Sequence, residues 1–154
     1  MKQDAVIFDM DGTLADVSSI RHYIVPPNPK PKGWFKDFNS FHDESVNVPV
    51  NASVRDHAIR SHMLGNANLI VTARRAMYRH QTAWFLALHG VPSDRLYMRG
   101  DKDGRPDYEV KQDILNQIQK EYNVIHAVDD NPAVIKLWQE NGIDTTIVEG
   151  FGFE

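Results

Sequence analysis

Residues 6–14, with the sequence VIFDMDGTL, decide the fold of this chain. The β-branched, apolar run over residues 4–9 predicts a buried strand near the start. That run ends in Asp9 and Asp11, and in an extended segment residues i and i+2 face the same side. The two carboxylates are therefore expected to reach one ligand at the carboxyl end of the strand.

Composition and charge limit the class of protein. The chain has 154 residues, of which 42% are hydrophobic and 25% charged, with a formal net charge of −4, as in ordinary soluble domains. This length predicts one domain over residues 1–154. Because the sequence has no cysteine, disulfides, zinc–thiolate sites and thiol catalysis are excluded. Without a secretory signal or a long apolar run, we expect a cytoplasmic protein that has no membrane partner.

The rest of the chain alternates apolar runs with amphipathic stretches. Further strands are predicted at 67–73, 95–100, 124–130 and 144–148, and helices at 51–65, 78–90, 106–122 and 131–142. This order predicts an α/β fold with a central parallel sheet flanked by helices. Residues 16–50 lack a clear period and are rich in proline, asparagine and aromatic residues. They predict a small insert after the first strand.

Polar residues gather where the predicted strands end. In open parallel sheets ligands bind at this edge, and clustered carboxylates there require a cation. Oxygen ligands favour a hard ion such as Mg²⁺, while lysine, arginine and hydroxyl groups can hold phosphate oxygens. These features predict a phosphoryl-transfer site. Besides the two aspartates of the first strand, its candidate residues are Thr72, Arg74, Asp107, Lys111, Asp129 and Asp130.

Four short motifs carry a family resemblance. DMDGT, VTAR, a downstream lysine and VDDN resemble, in this order, the motifs of the haloacid dehalogenase (HAD) superfamily of phosphohydrolases. A closer match is the 3′-phosphatase domain of phage-type polynucleotide kinase-phosphatase, which has a similar FDxDGTLA start and a similar Asp-x-x-x-Lys pair. The resemblance covers nearly the whole chain and implies a HAD-like Rossmannoid fold with residues 16–50 as a small cap. No G-x-x-x-x-G-K-[ST] loop occurs in the 154 residues, so 5′-kinase activity is not expected from them.

The resemblance also implies catalytic roles. Asp9 is the nucleophile that forms an aspartyl-phosphate, and Asp11 acts first as general acid and then as general base. Thr72 holds the phosphoryl group. Lys111 neutralises the charge near Asp9, and Asp107, one helical turn earlier, is expected on the same helix face.

Further contacts with metal and substrate follow from the same resemblance. Asp130 is expected as the inner Mg²⁺ ligand and Asp129 as a supporting contact, although either residue can instead cap the helix that begins near Pro132. Arg74 and Arg21 resemble two arginines of the polynucleotide phosphatases, Arg21 with an offset of one residue. The implied metal ligands are Asp9, Asp11 through its backbone carbonyl, Asp129 and Asp130.

The implied reaction is Mg²⁺-dependent hydrolysis of a phosphomonoester, favoured on a nucleic-acid 3′ end because the small insert leaves the site open. A phosphatase of small metabolites or free nucleotides is the alternative, and an inactive phosphate- or partner-binding module is a third. A separate kinase or ligase is the expected partner in end repair. The aromatic residues of the insert either stack a base or pack the segment, with packing slightly favoured. These residues are Trp34, Phe35, Phe38 and Phe41.

Overall fold

The computed structural model describes residues 1–149. Its centre is a five-stranded sheet in the order β3-β2-β1-β4-β5, and every neighbouring pair is parallel. The predicted α/β fold with a central parallel sheet is therefore confirmed. The strands are β1 (Gln3–Phe8), β2 (Ala67–Arg75), β3 (Arg95–Arg99), β4 (Tyr122–Asp129) and β5 (Asp144–Ile147).

Five α-helices accompany the sheet within the described residues. The sequence predicted all of them except α1, whose carboxylate cap at Asp37 accepts from the backbone N–H of Ser40 at 3.0 Å. Short 3₁₀ helices cover Ser18–Tyr23, Ser45–Asn47 and Ala76–Tyr78. The helices are α1 (Phe38–Glu44), α2 (Ala52–Met63), α3 (Arg79–Leu88), α4 (Asp107–Ile118) and α5 (Pro132–Glu140).

The helices bury both faces of the sheet. In β1, Val6 and Phe8 belong to one apolar cluster, whereas Ala5 and Ile7 belong to another, as the two-residue period of a strand requires. The first cluster takes side chains from α1, α2, α3 and residues 14–24, and the second from α4 and α5. The inserted segment therefore contributes to one of the two main cores.

Three strands meet where β1 ends. Phe8, the last residue of β1, is opposite Ile70 of β2 and Val128 of β4. The sequence predicted that β2 ends at residue 73, but the strand continues to Arg75. Thr72 and Arg74 thus lie inside β2, in the stretch where its pairing with β3 changes register and its pairing with β1 has already ended.

None of the helices within residues 1–149 is long and apolar enough to cross a membrane.

Candidate active site

A tight turn after β1 presents the two aspartates. The backbone N–H of Asp9 donates to the carbonyl of Val128 at 3.1 Å, and the N–H groups of Thr13 and Ala15 donate to the carbonyl of Met10. Gly12 has a φ of +80°, a conformation that glycine adopts without steric cost. This reversal leaves Asp9 and Asp11 at the edge of the sheet beside β4 and β2.

Asp9 is buried among charged and polar groups. Its Oδ1 accepts from Lys111 Nζ at 3.0 Å, and its Oδ2 lies 3.2 Å from the hydroxyl of Thr13. Burial and the nearby carboxylate of Asp129 raise the pKa of Asp9 well above its ordinary value, and Lys111 offsets this only in part. Additional positive charge at this place would favour the ionised carboxylate of Asp9.

Lys111 joins two carboxylates in the interior. Its Nζ lies 3.0 Å from Asp129 Oδ2, the same distance as from Asp9 Oδ1, and the lysine side chain is 3% exposed. Burial alone would lower the pKa of Lys111, but Asp129 and Asp9 outweigh it and raise the pKa above its ordinary value. Lys111 is therefore a fixed positive charge in this site.

Asp129 is fully satisfied by protein donors. Its Oδ1 accepts from the backbone N–H groups of Asp130 and Asn131, and its Oδ2 accepts from Lys111 and, at 3.4 Å, from the indole of Trp138. The backbone contacts fit the capping alternative, although the cap of α5 itself is the side chain of Asn131, which accepts from the N–H of Ala133. Asp129 thus orients the beginning of α5 and fixes Lys111.

Asp130 has a free, buried oxygen. Its Oδ1 lies 3.3 Å from the hydroxyl of Thr13, while its buried Oδ2 has no hydrogen-bond partner among residues 1–149. Burial, with Asp129 nearby, raises the pKa of Asp130 to about 6. A buried polar atom without a partner is costly, which makes this oxygen the natural place for a cation.

Three carboxylates together fit a divalent cation. Asp9, Asp129 and Asp130 each offer one oxygen, and these oxygens lie within 4.8 Å of one another. An all-oxygen set of this kind suits a hard cation. The side chain of Asp11 does not belong to this group, so only its backbone carbonyl remains as the predicted contact.

Arg74 clamps Asp11. Its Nε lies 2.9 Å from Asp11 Oδ2, its Nη2 also donates to Oδ1, and its Nη1 donates to the hydroxyl of Thr82 at 3.0 Å. Burial would raise the pKa of Asp11, but Arg74 outweighs it and holds this pKa below the ordinary value. The sequence predicted that Arg74 contacts phosphate. In this structure its guanidinium binds the carboxylate of Asp11, and the phosphate contact stays a prediction.

A cavity of about 470 Å³ opens above these groups. The buried hydroxyl of Thr72 accepts from the backbone N–H of Arg74 at 3.1 Å. Seven of the nine residues that we predicted line this cavity, and an eighth, Asp129, is buried and accepts a hydrogen bond from Lys111. Those that line it are Asp9, Asp11, Thr72, Arg74, Asp107, Lys111 and Asp130.

Asp107 and Lys111 both line the cavity, but their side chains have different partners. Asp107 accepts from Arg99 Nη2 at 2.7 Å, because Lys111 is engaged by the buried acids. Arg99 is itself buried and also donates to the carbonyls of Ala73, Asp103 and Arg105. Arg99 thus holds the loop between β3 and α4. Because Arg99 lies at the end of the predicted strand 95–100, inspection of that strand end would have identified this residue.

Arg21, the ninth predicted residue, does not line the cavity. It lies in the 3₁₀ helix Ser18–Tyr23, and its Nε is buried without a hydrogen-bond partner in the described part of the chain. A role for Arg21 in substrate binding stays a prediction.

The aromatic residues of the insert divide between two roles. Phe38 and Phe41 both line the cavity, but Phe41 is buried in the core, whereas Phe38 is 46% exposed. Trp34 and Phe35 are absent from the described cavity wall. His42, which sequence analysis missed, is also in that wall, and burial lowers its pKa to about 4. It is therefore neutral at physiological pH.

Proteins similar to this chain include enzymes that act on polynucleotides. A protein of Autographa californica nuclear polyhedrosis virus, whose name describes a bifunctional polynucleotide kinase/RNA ligase, is 29% identical over 147 residues. That match covers 92% of this chain but 18% of the viral protein. A chain in the structure of the Pnkp1/Rnl/Hen1 RNA repair complex is 26% identical with a TM-score of 0.78, over 99% of this chain and 44% of that one. The chain thus spans less than half the length of these relatives.

The fold is also similar to that of more distant phosphatases. The class C acid phosphatase from Bacillus anthracis has a TM-score of 0.72 at 14% identity, over 96% of this chain and 66% of that one. A family model described as the polynucleotide kinase PNKP phosphatase domain matches residues 3–153. The chain therefore belongs to the polynucleotide kinase phosphatase domains of the HAD superfamily and is a phosphatase, as the four motifs predicted.

Proposed function

We propose that this chain is a Mg²⁺-dependent polynucleotide 3′-phosphatase that forms an aspartyl-phosphate at Asp9, with residues 1–154 as one domain and 16–50 as its cap. The observation that carries the proposal is the buried group of Asp9, Asp129 and Asp130 beside Lys111, at the bottom of an open cavity. Within residues 1–149, one carboxylate oxygen of this group has no hydrogen-bond partner, and positively charged residues line the cavity above it.

The residues fit a magnesium ion. Asp130 would be the inner ligand through its unpartnered Oδ2, together with Asp9 and the backbone carbonyl of Asp11, while Asp129 is occupied by its four donors. When bound, Mg²⁺ supplies positive charge that offsets the repulsion between substrate phosphate and carboxylates. Such a charge also lowers the raised pKa of Asp9 and keeps this carboxylate ionised.

The reaction then divides into two steps at Asp9. A carboxylate oxygen of Asp9 attacks phosphorus, the bond from phosphorus to the alcohol oxygen breaks, and Asp11 gives that oxygen a proton. In the second step Asp11 takes a proton from water as the water oxygen attacks phosphorus. The bond from phosphorus to Asp9 breaks, inorganic phosphate leaves, and both aspartates regain their starting forms.

Arg74 must change partner for Asp11 to carry a proton. Its bonds with Asp11 favour the ionised carboxylate. A substrate phosphate is a competing anion for the same guanidinium, with which it can form a bidentate pair. Transfer of Arg74 to the phosphate would raise the pKa of Asp11 at the moment when its proton is needed.

Two observations support a polynucleotide substrate. Lys36 and Arg75 also line the cavity, although the whole chain has a net charge of −4, and such residues suit a phosphodiester backbone. The relatives named above also include a polynucleotide kinase/RNA ligase and an RNA repair complex. A kinase or ligase acting on the same strand is therefore the partner that we propose.

A panel of phosphomonoesters tests the substrate. Release of phosphate in the presence of Mg²⁺ would be compared among a 3′-phosphorylated oligonucleotide, its 5′-phosphorylated counterpart and free 3′- and 5′-nucleotides, on DNA and RNA. We expect the highest kcat/KM for the 3′-phosphorylated oligonucleotide. Preference for free nucleotides would instead favour the small-molecule alternative.

A further inference from the structure

One wall of the cavity is aromatic and belongs mainly to the inserted segment. Phe38 and His42 of α1 line it together with Tyr78. The rings of Phe38 and His42 are nearly parallel, at 16° with centroids 6.2 Å apart, and the rings of His42 and Tyr78 lie 4.2 Å apart. The three rings thus form a continuous surface beside the catalytic aspartates.

Only the outer ring of this surface is free. Phe38 is 46% exposed, whereas His42 and Tyr78 are 5% and 7% exposed. The inner rings are fixed, since Tyr78 donates its hydroxyl to Asn39 and His42 also packs edge-on against Phe41. The exposed ring therefore stands on a rigid support inside a cavity, which is what a stacking contact requires.

Charge around this ring fits a nucleotide. Lys36 places its Nζ 6.0 Å from the centroid of the Phe38 ring, at the outer limit of a cation–π contact. A base that stacks on the ring would displace only this weak contact, and the lysine could then meet a neighbouring phosphate. Aromatic rings with nearby cations are the usual means of binding single-stranded nucleic acid.

We propose that Phe38, supported by His42 and Tyr78, stacks the base of the nucleoside that carries the 3′-phosphate. The inference rests on the proposed 3′-phosphatase function and deepens it. The sheet edge then recognises the phosphate, while the insert recognises the nucleoside. Stacking is tolerant of base identity, so the contact selects for the presence of a base.

The test compares substrates that differ only at the terminal base. One 3′-phosphorylated oligonucleotide ends in an ordinary nucleoside and the other in a tetrahydrofuran abasic analogue. We expect the native protein to prefer the first in kcat/KM by about five- to hundredfold, mainly through KM. Phe38→Leu should reduce this preference to about twofold or less, and Phe38→Trp should retain it.

A matched control lies three residues away. Phe35 is 75% exposed and does not line the cavity, so Phe35→Leu should keep the native preference. Thermal unfolding curves of the variants would check that each is folded. The proposal is wrong if the native protein shows no preference, or if Phe38→Leu and Phe35→Leu behave alike. Hydrolysis of free nucleotides but of neither oligonucleotide would instead refute the proposed function.

Discussion

The sheet edge and the inserted segment build two sides of one cavity by different means. At the sheet edge, Lys111 of α4 and Trp138 of α5 donate hydrogen bonds to buried acids that follow β1 or end β4. In the insert, rings of α1 are held by packing against each other and against Tyr78. Charged chemistry needs fixed geometry, whereas recognition of a base needs only a flat apolar face. The comparison predicts that substitutions at the sheet edge cause large losses of activity or stability. Substitutions in the insert should affect only the recognition of the base.

Asp9→Asn should give the largest effect at the sheet edge. Loss of the proposed nucleophile should lower kcat on a 3′-phosphorylated oligonucleotide by about 10⁴-fold or more, and the fold should persist because asparagine can still accept from Lys111. Phosphate release with Mg²⁺ measures the effect. Asp4→Asn, an exposed carboxylate earlier in β1, is the control with native activity. Full activity in Asp9→Asn would refute the aspartyl-phosphate.

Lys111→Met should be the most destabilising change. It leaves Asp9 and Asp129 buried without their cation, and loss of one partner from a buried ion pair costs about 3–5 kcal/mol in free energy of unfolding. Urea unfolding without metal measures it. Lys136→Met provides the control because the Lys136 side chain is 75% exposed, and a change below about 0.5 kcal/mol is expected there. Similar losses in the two variants would contradict the role of Lys111.

Arg99→Lys should cause a smaller loss of activity than the substitution of Asp9. Lysine cannot reach the carbonyls of Ala73, Asp103 and Arg105 while it also pairs with Asp107, so the β3–α4 loop should shift. We expect kcat/KM to fall about ten- to hundredfold, with faster proteolysis of the loop. The control is Arg95→Lys. Because the Arg95 side chain is 55% exposed, this variant should keep the native kcat/KM and the native rate of proteolysis. Unchanged proteolysis in Arg99→Lys would show that the loop does not depend on Arg99.

The smallest expected effect at the sheet edge is a pH-dependent increase in Tm on adding Mg²⁺. The pKa of Asp130 is raised from 3.8 to about 6, so without metal this group stabilises the fold below about pH 4 and loses that contribution as pH rises through about 6. At the proposed site Mg²⁺ would compete with this proton. The increase in Tm on adding Mg²⁺ should therefore grow from pH 5 to pH 7 and be absent in Asp130→Asn. An increase that is independent of pH would argue against Asp130 as a ligand.

The sequence predicted the edge better than the insert. Asp9, Thr72 and Asp130 could be found because parallel strands bring their carboxyl ends together. The side-chain partners of these residues could not be predicted from the sequence. The bonds of Arg99 with Asp107 and of Arg74 with Asp11 depend on rotamers and on competition within the folded site. Residues 16–50 have no period, so neither α1 nor the ring of His42 beside Tyr78 could be predicted.

The position of Lys111 between Asp9 and Asp129 has a consequence for how the protein matures. The ammonium of Lys111 partly balances the acids in the folded chain, so we expect folding to proceed without a metal ion. In this respect the site differs from small zinc domains, whose folding is coupled to metal binding. Chelation with EDTA should accordingly stop turnover without unfolding the chain, and later addition of Mg²⁺ should restore full activity within the mixing time.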